Sequence, residues 1–329
     1  MRLPEPNLSA DAELVAGILA RQRRALAKAI TLIESTRHDH QTRAKALLEA
    51  VLPHSGKSMR VGISGVPGVG KSTFIEALGM FLIGRGHRVA VLAVDPSSSI
   101  SGGSILGDKT RMERLSLREE AFIRPTPTSG TLGGVADKTR EAMLLCEAAG
   151  FDVIIVETVG VGQSETAVAG MVDAFVLLQQ PNAGDDLQAI KKGIVELADI
   201  IVVNKADIDQ EATARAIGQM RGALSLLRHA TPHWEPPVLA ASATKQQGID
   251  EFWQEIERFR RLMNASGAMT EKRRHQSLAW MWALIESGLH ARFRQHLAIR
   301  RDLPALTAAV EAGATTPTLA AERLLDCFR

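Results

Sequence analysis

The stretch Gly65-Val66-Pro67-Gly68-Val69-Gly70-Lys71-Ser72, followed by Thr73, places its glycines, a lysine and a hydroxyl at the spacing G-x-x-x-x-G-K-[ST]. Glycines there let the chain wrap an anion with its amide hydrogens turned inward, a following helix adds the positive end of its dipole, and the lysine neutralises terminal phosphates. Ser72 adds a hard oxygen donor suited to Mg2+. Downstream, Asn204-Lys205-Ala206-Asp207 offers a carboxylate able to accept from both N1–H and the 2-amino group of guanine. Adenine lacks that donor pair. Ser242-Ala243-Thr244 is placed to present a backbone amide to guanine O6, so the expected ligand is GTP, or GDP after hydrolysis, with Mg2+.

A third group is Glu157-Thr158-Val159-Gly160. A carboxylate at the end of a strand beside the phosphate loop reaches Mg2+ directly or through water, here as Glu157 instead of the commoner aspartate, and the Gly160 amide is placed to meet the γ-phosphate. Asp95, in Asp95-Pro96-Ser97-Ser98-Ser99, and Asp108, in the glycine-rich segment 102–108, are two further candidate carboxylates. Each has a bland alternative: a turn or helix cap for Asp95, a solvated loop charge for Asp108. The expected catalytic set is Lys71, Asp95, Asp108, Glu157 and Gly160, and the expected metal ligands are Ser72, Asp95, Asp108 and Glu157. Ras-like enzymes orient the attacking water with a glutamine directly after the switch glycine. That position is Val161 here, so hydrolysis by the isolated protein is expected to be slow.

These residues need a scaffold. Short, almost continuously apolar runs at Arg60–Ser64, Arg88–Val94, Asp152–Glu157, Ala174–Gln179, Asp199–Val203 and Pro237–Ala241 alternate with helical patterns. Strands of that kind belong to a doubly wound, mainly parallel α/β sheet buried on both faces, whose ligands sit at the carboxyl ends of the strands. Apolar residues recurring at three and four from Ser9 to Glu34 predict an amphipathic helix, and Gln41–Leu52 a second. Leu278, Met281, Trp282, Ile285 and Leu289 mark one face of a helix from Glu271 to His296, with two shorter helical patterns around Gly313 and Pro317. The predicted organisation is a helical arm over residues 1–56, a nucleotide-binding α/β domain over 57–264 and a helical region over 265–329. The last is a candidate subunit interface or simply packs on the central domain.

The chain has 329 residues, 39 Lys plus Arg against 37 Asp plus Glu, and a net charge of +2, which gives no general pull toward nucleic acid or anionic lipid. Neither nucleic acid nor membrane is an expected partner. No apolar stretch approaches the ~18 residues of a spanning helix. The first ten residues lack a secretory pattern, which points to the cytoplasm, with an organelle matrix after removal of a leader as the other possibility. The two cysteines, Cys146 and Cys327, read as buried thiols. His38 with His40, and His229 with His233 across Pro232, read as surface pairs, not metal ligands.

Taken together, the runs Gly62–Thr73, Asp95–Ser98, Gly102–Met112, Arg124–Pro127, Glu157–Glu165 and Asn204–Asp207 resemble the MeaB/ArgK/methylmalonic aciduria type A family, over nearly the whole chain. The resemblance implies a P-loop GTPase of the SIMIBI class. It implies a chaperone of adenosylcobalamin-dependent methylmalonyl-CoA mutase that gates cofactor delivery and protects or reactivates the enzyme, the adenosylcobalamin being held by the partner. It also implies a homodimer joined through the C-terminal helices, and a third switch at Gln180-Pro181-Asn182-Ala183-Gly184-Asp185-Asp186-Leu187-Gln188. On the residues alone, that loop is equally an inert solvated turn, and Lys191 and Lys192 are equally helix-surface charges. Two other classes compete: a phosphotransferase linked to amino acid transport, and a nickel metallochaperone, for which the Cys and His clusters of the nickel-inserting relatives are missing.

Overall fold

The apolar runs become strands because their β-branched side chains suit a pleated surface covered on both sides. The computed structural model describes residues 8–94, 112–126, 132–158, 164–181, 192–227, 231 and 233–328. Its strands are β1 (Met59–Gly65), β2 (Val89–Val94), β3 (Ala121–Thr126), β4 (Val153–Thr158), β5 (Ala174–Gln179), β6 (Ile200–Val203) and β7 (Val238–Ala240). They form one sheet in the order β3-β2-β4-β1-β5-β6-β7, and every neighbouring pair is parallel. β1 sits between β4 and β5, with Ile63 beside Glu157 on one side and Val176 on the other. The strand order reverses at β1, which opens the crevice where such sheets take ligands.

The chain divides into two compact units, Met1–Arg274 and His275–Arg329. In the first, helices α1 (Leu8–Leu19), α2 (Arg23–Glu34), α3 (His38–Val51), α6 (Leu132–Ala148) and α7 (Ser164–Ala169) cover one sheet face, burying Leu26, Ile30 and Leu47 in one cluster with Ile154, Val156 and Phe175. The opposite face packs on α4 (Lys71–Gly84) and α10 (Ile249–Ala265), where Phe74 meets Phe252 edge to face at 5.1 Å. Shorter helices are α5 (Glu113–Ser116), α8 (Lys192–Leu197) and α9 (Gln210–Leu224). The helix α11 (Ala268–Gln295) is followed by α12 (Leu297–Glu311) and α13 (Pro317–Asp326). On α11, Leu278, Met281, Trp282, Ile285 and Leu289 are all exposed.

Three sequence expectations are corrected. β3 was not expected: it holds Pro125, which normally argues against a strand, and it is tolerated because β3 is an edge strand, paired among the described residues with β2 alone. The single helix expected from Ser9 to Glu34 is two, because Arg21 adopts a left-handed backbone (φ 62°) and closes α1. Of the two cysteines, Cys146 is buried, but Cys327 is only partly so. Burial, and then the charge of Glu147, pushes the Cys146 thiol well above its ordinary pKa, so it is chemically quiet.

At the end of the sheet where strands begin, charge is buried. Asp173, directly before β5, is fully buried and receives Arg273 Nε at 2.8 Å, Arg273 Nη2 at 2.7 Å and the Arg60 amide at 2.8 Å. Asp199, directly before β6, accepts from the Phe175 amide at 2.9 Å and from Lys272 Nζ at 3.4 Å. Arg60 in turn pairs with Glu147 at 2.9 Å. The first turns of α11 are thereby fixed to the starts of β1, β5 and β6.

Candidate nucleotide-binding site

β1 ends in the loop 65–70, and α4 starts at Lys71 with Gly70 as its N-cap at φ 92°. A side chain at Gly70 would be strained by that backbone, and its Cβ would lie 2.8 Å from Asn204 Nδ2. At Gly65 a Cβ would lie 2.6 Å from the Leu178 carbonyl oxygen. The loop therefore lies close against neighbouring chain where glycine alone fits, and the cradle faces the N-terminus of a 14-residue helix. Lys71 Nζ donates to the Gly65 carbonyl at 2.7 Å and to that of Val66 at 3.3 Å. Those two oxygens hold the ammonium at the loop, where a polyphosphate would meet it.

The hydroxyl of Ser72 donates to Glu157 Oε1 at 3.2 Å, and the Glu157 side chain is buried at the end of β4. A hydroxyl and a carboxylate facing one another are the hard oxygen donors that Mg2+ selects, so these two residues fit that ion. Just beneath, Thr158 Oγ1 donates to Ser64 Oγ at 3.0 Å and ties β4 to β1 inside the sheet.

Asn204 follows β6 and is buried. Its Nδ2 donates to the Val69 carbonyl at 2.9 Å, and its Oδ1 accepts from the Ala243 amide at 3.3 Å. One amide side chain therefore joins the phosphate loop to the segment 242–244. Lys205 sits in the left-handed region (φ 61°), and its Nζ donates to the Gly68 carbonyl at 2.7 Å. Non-glycine residues held there cost on the order of 1 kcal/mol and persist where the surroundings impose them. Asp207 is exposed, and the Ala206 amide is bonded to the Ala241 carbonyl at 3.0 Å, which holds the turn carrying Asp207 against the end of β7. Ser242 forms a two-way backbone bridge with Gln247, and Thr244 is exposed at the rim.

Of the residues expected at the site, the structure brings together Gly65, Val66, Gly68, Val69, Gly70, Lys71, Ser72, Glu157, Asn204, Lys205 and Ala243. Pro67 and Thr73 are exposed on the same loop and first helical turn. Asp95, Asp108, Gly160 and Val161 lie outside the described residues, as do Asn182–Gln188 and Lys191. Sequence reasoning missed the bracing by Asn204 and the Ser64–Thr158 pair. The signal for Asn204 was an amide, able to donate and accept at once, at the mouth of a wholly apolar strand.

Residues 26–298 match the family described as Methylmalonyl Co-A mutase-associated GTPase MeaB. The chain belongs to this family. It is 55% identical over 320 residues to a protein of Caulobacter vibrioides named as a GTPase, covering 97% of each chain. To the mouse protein named methylmalonic aciduria type A homolog, mitochondrial, it is 49% identical over 327 residues, covering 96% of this chain and 79% of the mouse protein. Among solved structures it is similar to one titled LAO/AO transport system kinase, with a TM-score of 0.78, 39% identity and 99% of each chain covered. Like that family, the chain is a P-loop GTPase built on a parallel sheet flanked by helices. Among the described residues, no helix is long and apolar enough to cross a membrane.

Proposed function

We propose that this MeaB-family GTPase binds GTP with Mg2+ across the ends of β1, β4 and β6, and uses hydrolysis to gate adenosylcobalamin delivery to methylmalonyl-CoA mutase and to protect or reactivate that enzyme. The observation that carries the nucleotide half is the Asn204 side chain, which bonds the phosphate loop at Val69 and the base-side loop at Ala243 simultaneously. A ligand that spans both loops is met by a pre-set distance between them. Asp207 selects guanine, and Lys71 exchanges its two carbonyl partners for phosphate oxygens. Ser72 and Glu157, with Asp95 and Asp108, would hold Mg2+, which supplies positive charge at the terminal phosphates. The mutase half is supported by the family's name and by the mouse relative's.

With Val161 where a water-orienting glutamine would stand, the isolated protein turns over slowly and the mutase accelerates it. Phosphate release measured with and without the cobalamin-dependent mutase tests this. Stimulation of at least tenfold is expected, and equal rates would remove the partner from the scheme. In the same assay Asp207→Asn, which loses an acceptor for two guanine donors, should weaken GTP binding about 10- to 100-fold relative to ATP, as expected for a lost charge-assisted hydrogen bond. Unchanged guanine preference would refute the assignment of Asp207. The kinase title of the similar structure makes phosphotransfer the second reading. Label from γ-phosphate appearing on protein or an amino acid, in place of free phosphate, would favour it.

We further propose a homodimer through the C-terminal helices. The exposed residues Leu278, Met281, Trp282, Ile285 and Leu289 recur at three and four along α11, which sets them in one apolar row of the kind that marks protein–protein contacts. Ile285→Lys should convert a dimer to a monomer in light scattering. Dimers that persist unchanged would place the interface elsewhere.

A further inference from the structure

The turn between α1 and α2 is closed by the Arg21 amide on the Ile18 carbonyl at 2.8 Å and the Gln22 amide on the Gly17 carbonyl at 2.9 Å. This paired closure normally has glycine at its left-handed position, and an arginine occupies it here at φ 62°. The backbone is no better for that choice, so the side chain is where an explanation lies. The Arg21 guanidinium lies over Gly150: a Cβ built there would be 2.9 Å from Nε and 3.3 Å from Cζ. On the next residue, Phe151, Arg88 stacks with Cζ 4.9 Å from the ring centroid.

Arg21 and Lys57 line an open pocket of about 370 Å3 floored by Gly150 and Phe151, with Glu147 and Asp152 as its carboxylates. Both carboxylates are already engaged. Glu147 takes the Arg60 guanidinium and the Gly56 amide, while Asp152 takes the Arg88 amide at 2.8 Å and the His87 ring at 2.8 Å. Arg88 Nε is buried and has no hydrogen-bond partner among the described residues. Burial first, then the nearness of Arg21 and more weakly Arg23, holds the Arg88 guanidinium below its ordinary pKa, against the opposing pull of Asp152 and Glu120. Arg21 and Arg88 are thus like charges near enough to oppose one another's ionised form.

We propose that this pocket, at the end of the sheet opposite the nucleotide loops, binds a phosphate-class oxyanion through Arg21 and Lys57, which line it, with Arg88 stacked on Phe151 adding positive charge nearby. The anion is either free phosphate or the phosphoryl group of a small molecule. Guanidinium groups suit it because their planar donors match tetrahedral oxyanions. The test uses full-length protein saturated with GDP and Mg2+, so that the phosphate loop is filled. Inorganic phosphate and a phosphomonoester are titrated separately at fixed ionic strength, against chloride, following the Gly150 and Phe151 amide signals. Saturable shifts are expected, and the tighter of the two titrants identifies free or esterified phosphate as the ligand. Arg21→Gly and Lys57→Gln should each weaken binding about tenfold or more. Because glycine suits the left-handed turn, Arg21→Gly should do so with an unchanged or higher melting temperature and unchanged GTP turnover. No shift beyond the chloride control, or equal affinity in wild type and both variants, overturns the proposal.

Discussion

Lys71→Ala is expected to lower GTP turnover about 100- to 1,000-fold, the usual loss when a pre-positioned group that meets developing charge is removed. Lys71 is already held at the loop by the Gly65 carbonyl at 2.7 Å and the Val66 carbonyl at 3.3 Å. Little reorganisation therefore stands between that position and the phosphates, and pre-organisation of this kind is what the alanine deletes. Lys71→Arg should rescue little, since a broad planar fork does not replace a compact ammonium in a loop packed against Asn204 and Leu178. Single-turnover hydrolysis with nucleotide titrated in parallel separates the chemical step from binding. A Lys71→Ala protein that hydrolyses GTP within threefold of wild type would end the case for this lysine.

Asp173→Ala should be the most destabilising single change outside the apolar core, by about 3–5 kcal/mol, because it strands a partly buried cation. The loss would show as a lower urea midpoint. Although burial pulls the Arg273 guanidinium down, its hydrogen bonds to Asp173 hold its pKa above the ordinary value. Removing both partners together, Asp173→Ala with Arg273→Ala, should cost less than the two separate losses combined, since no lone charge is left behind. Simple additivity in that double-mutant cycle would mean that the two groups do not act as a pair.

What the sequence disclosed follows from where each signal resides. Motifs whose chemistry is contiguous, such as the glycine-lysine-serine loop and Asn204–Asp207, are legible because spacing alone defines them. The apolar runs show the parallel sheet because both faces of such strands are covered. β3 escaped notice because Arg124 and Pro125 interrupt its apolar run, and only the tertiary position at a sheet edge makes them acceptable. There Arg124 reaches out to Glu34 at 2.5 Å instead of into the core. The break at Arg21 was hidden because arginine suits a helix and gives no warning of a left-handed backbone. Asn204 and Val69 bond across 135 residues, and Arg273 and Asp173 across 100, distances over which no local pattern pairs residues.

The place of β1 has a consequence for how the chain is made. Ser64 bonds Thr158, 94 residues later, and neither flanking partner of β1 precedes it in the chain. On a ribosome adding roughly 5–20 residues per second, the newly emerged strand waits about 5–20 s for its first neighbour. During that interval its apolar edges are open to any passing chain. Nascent protein of this kind is therefore a natural client of holding factors, and GTP can find a finished cradle only after most of the polypeptide has left the tunnel.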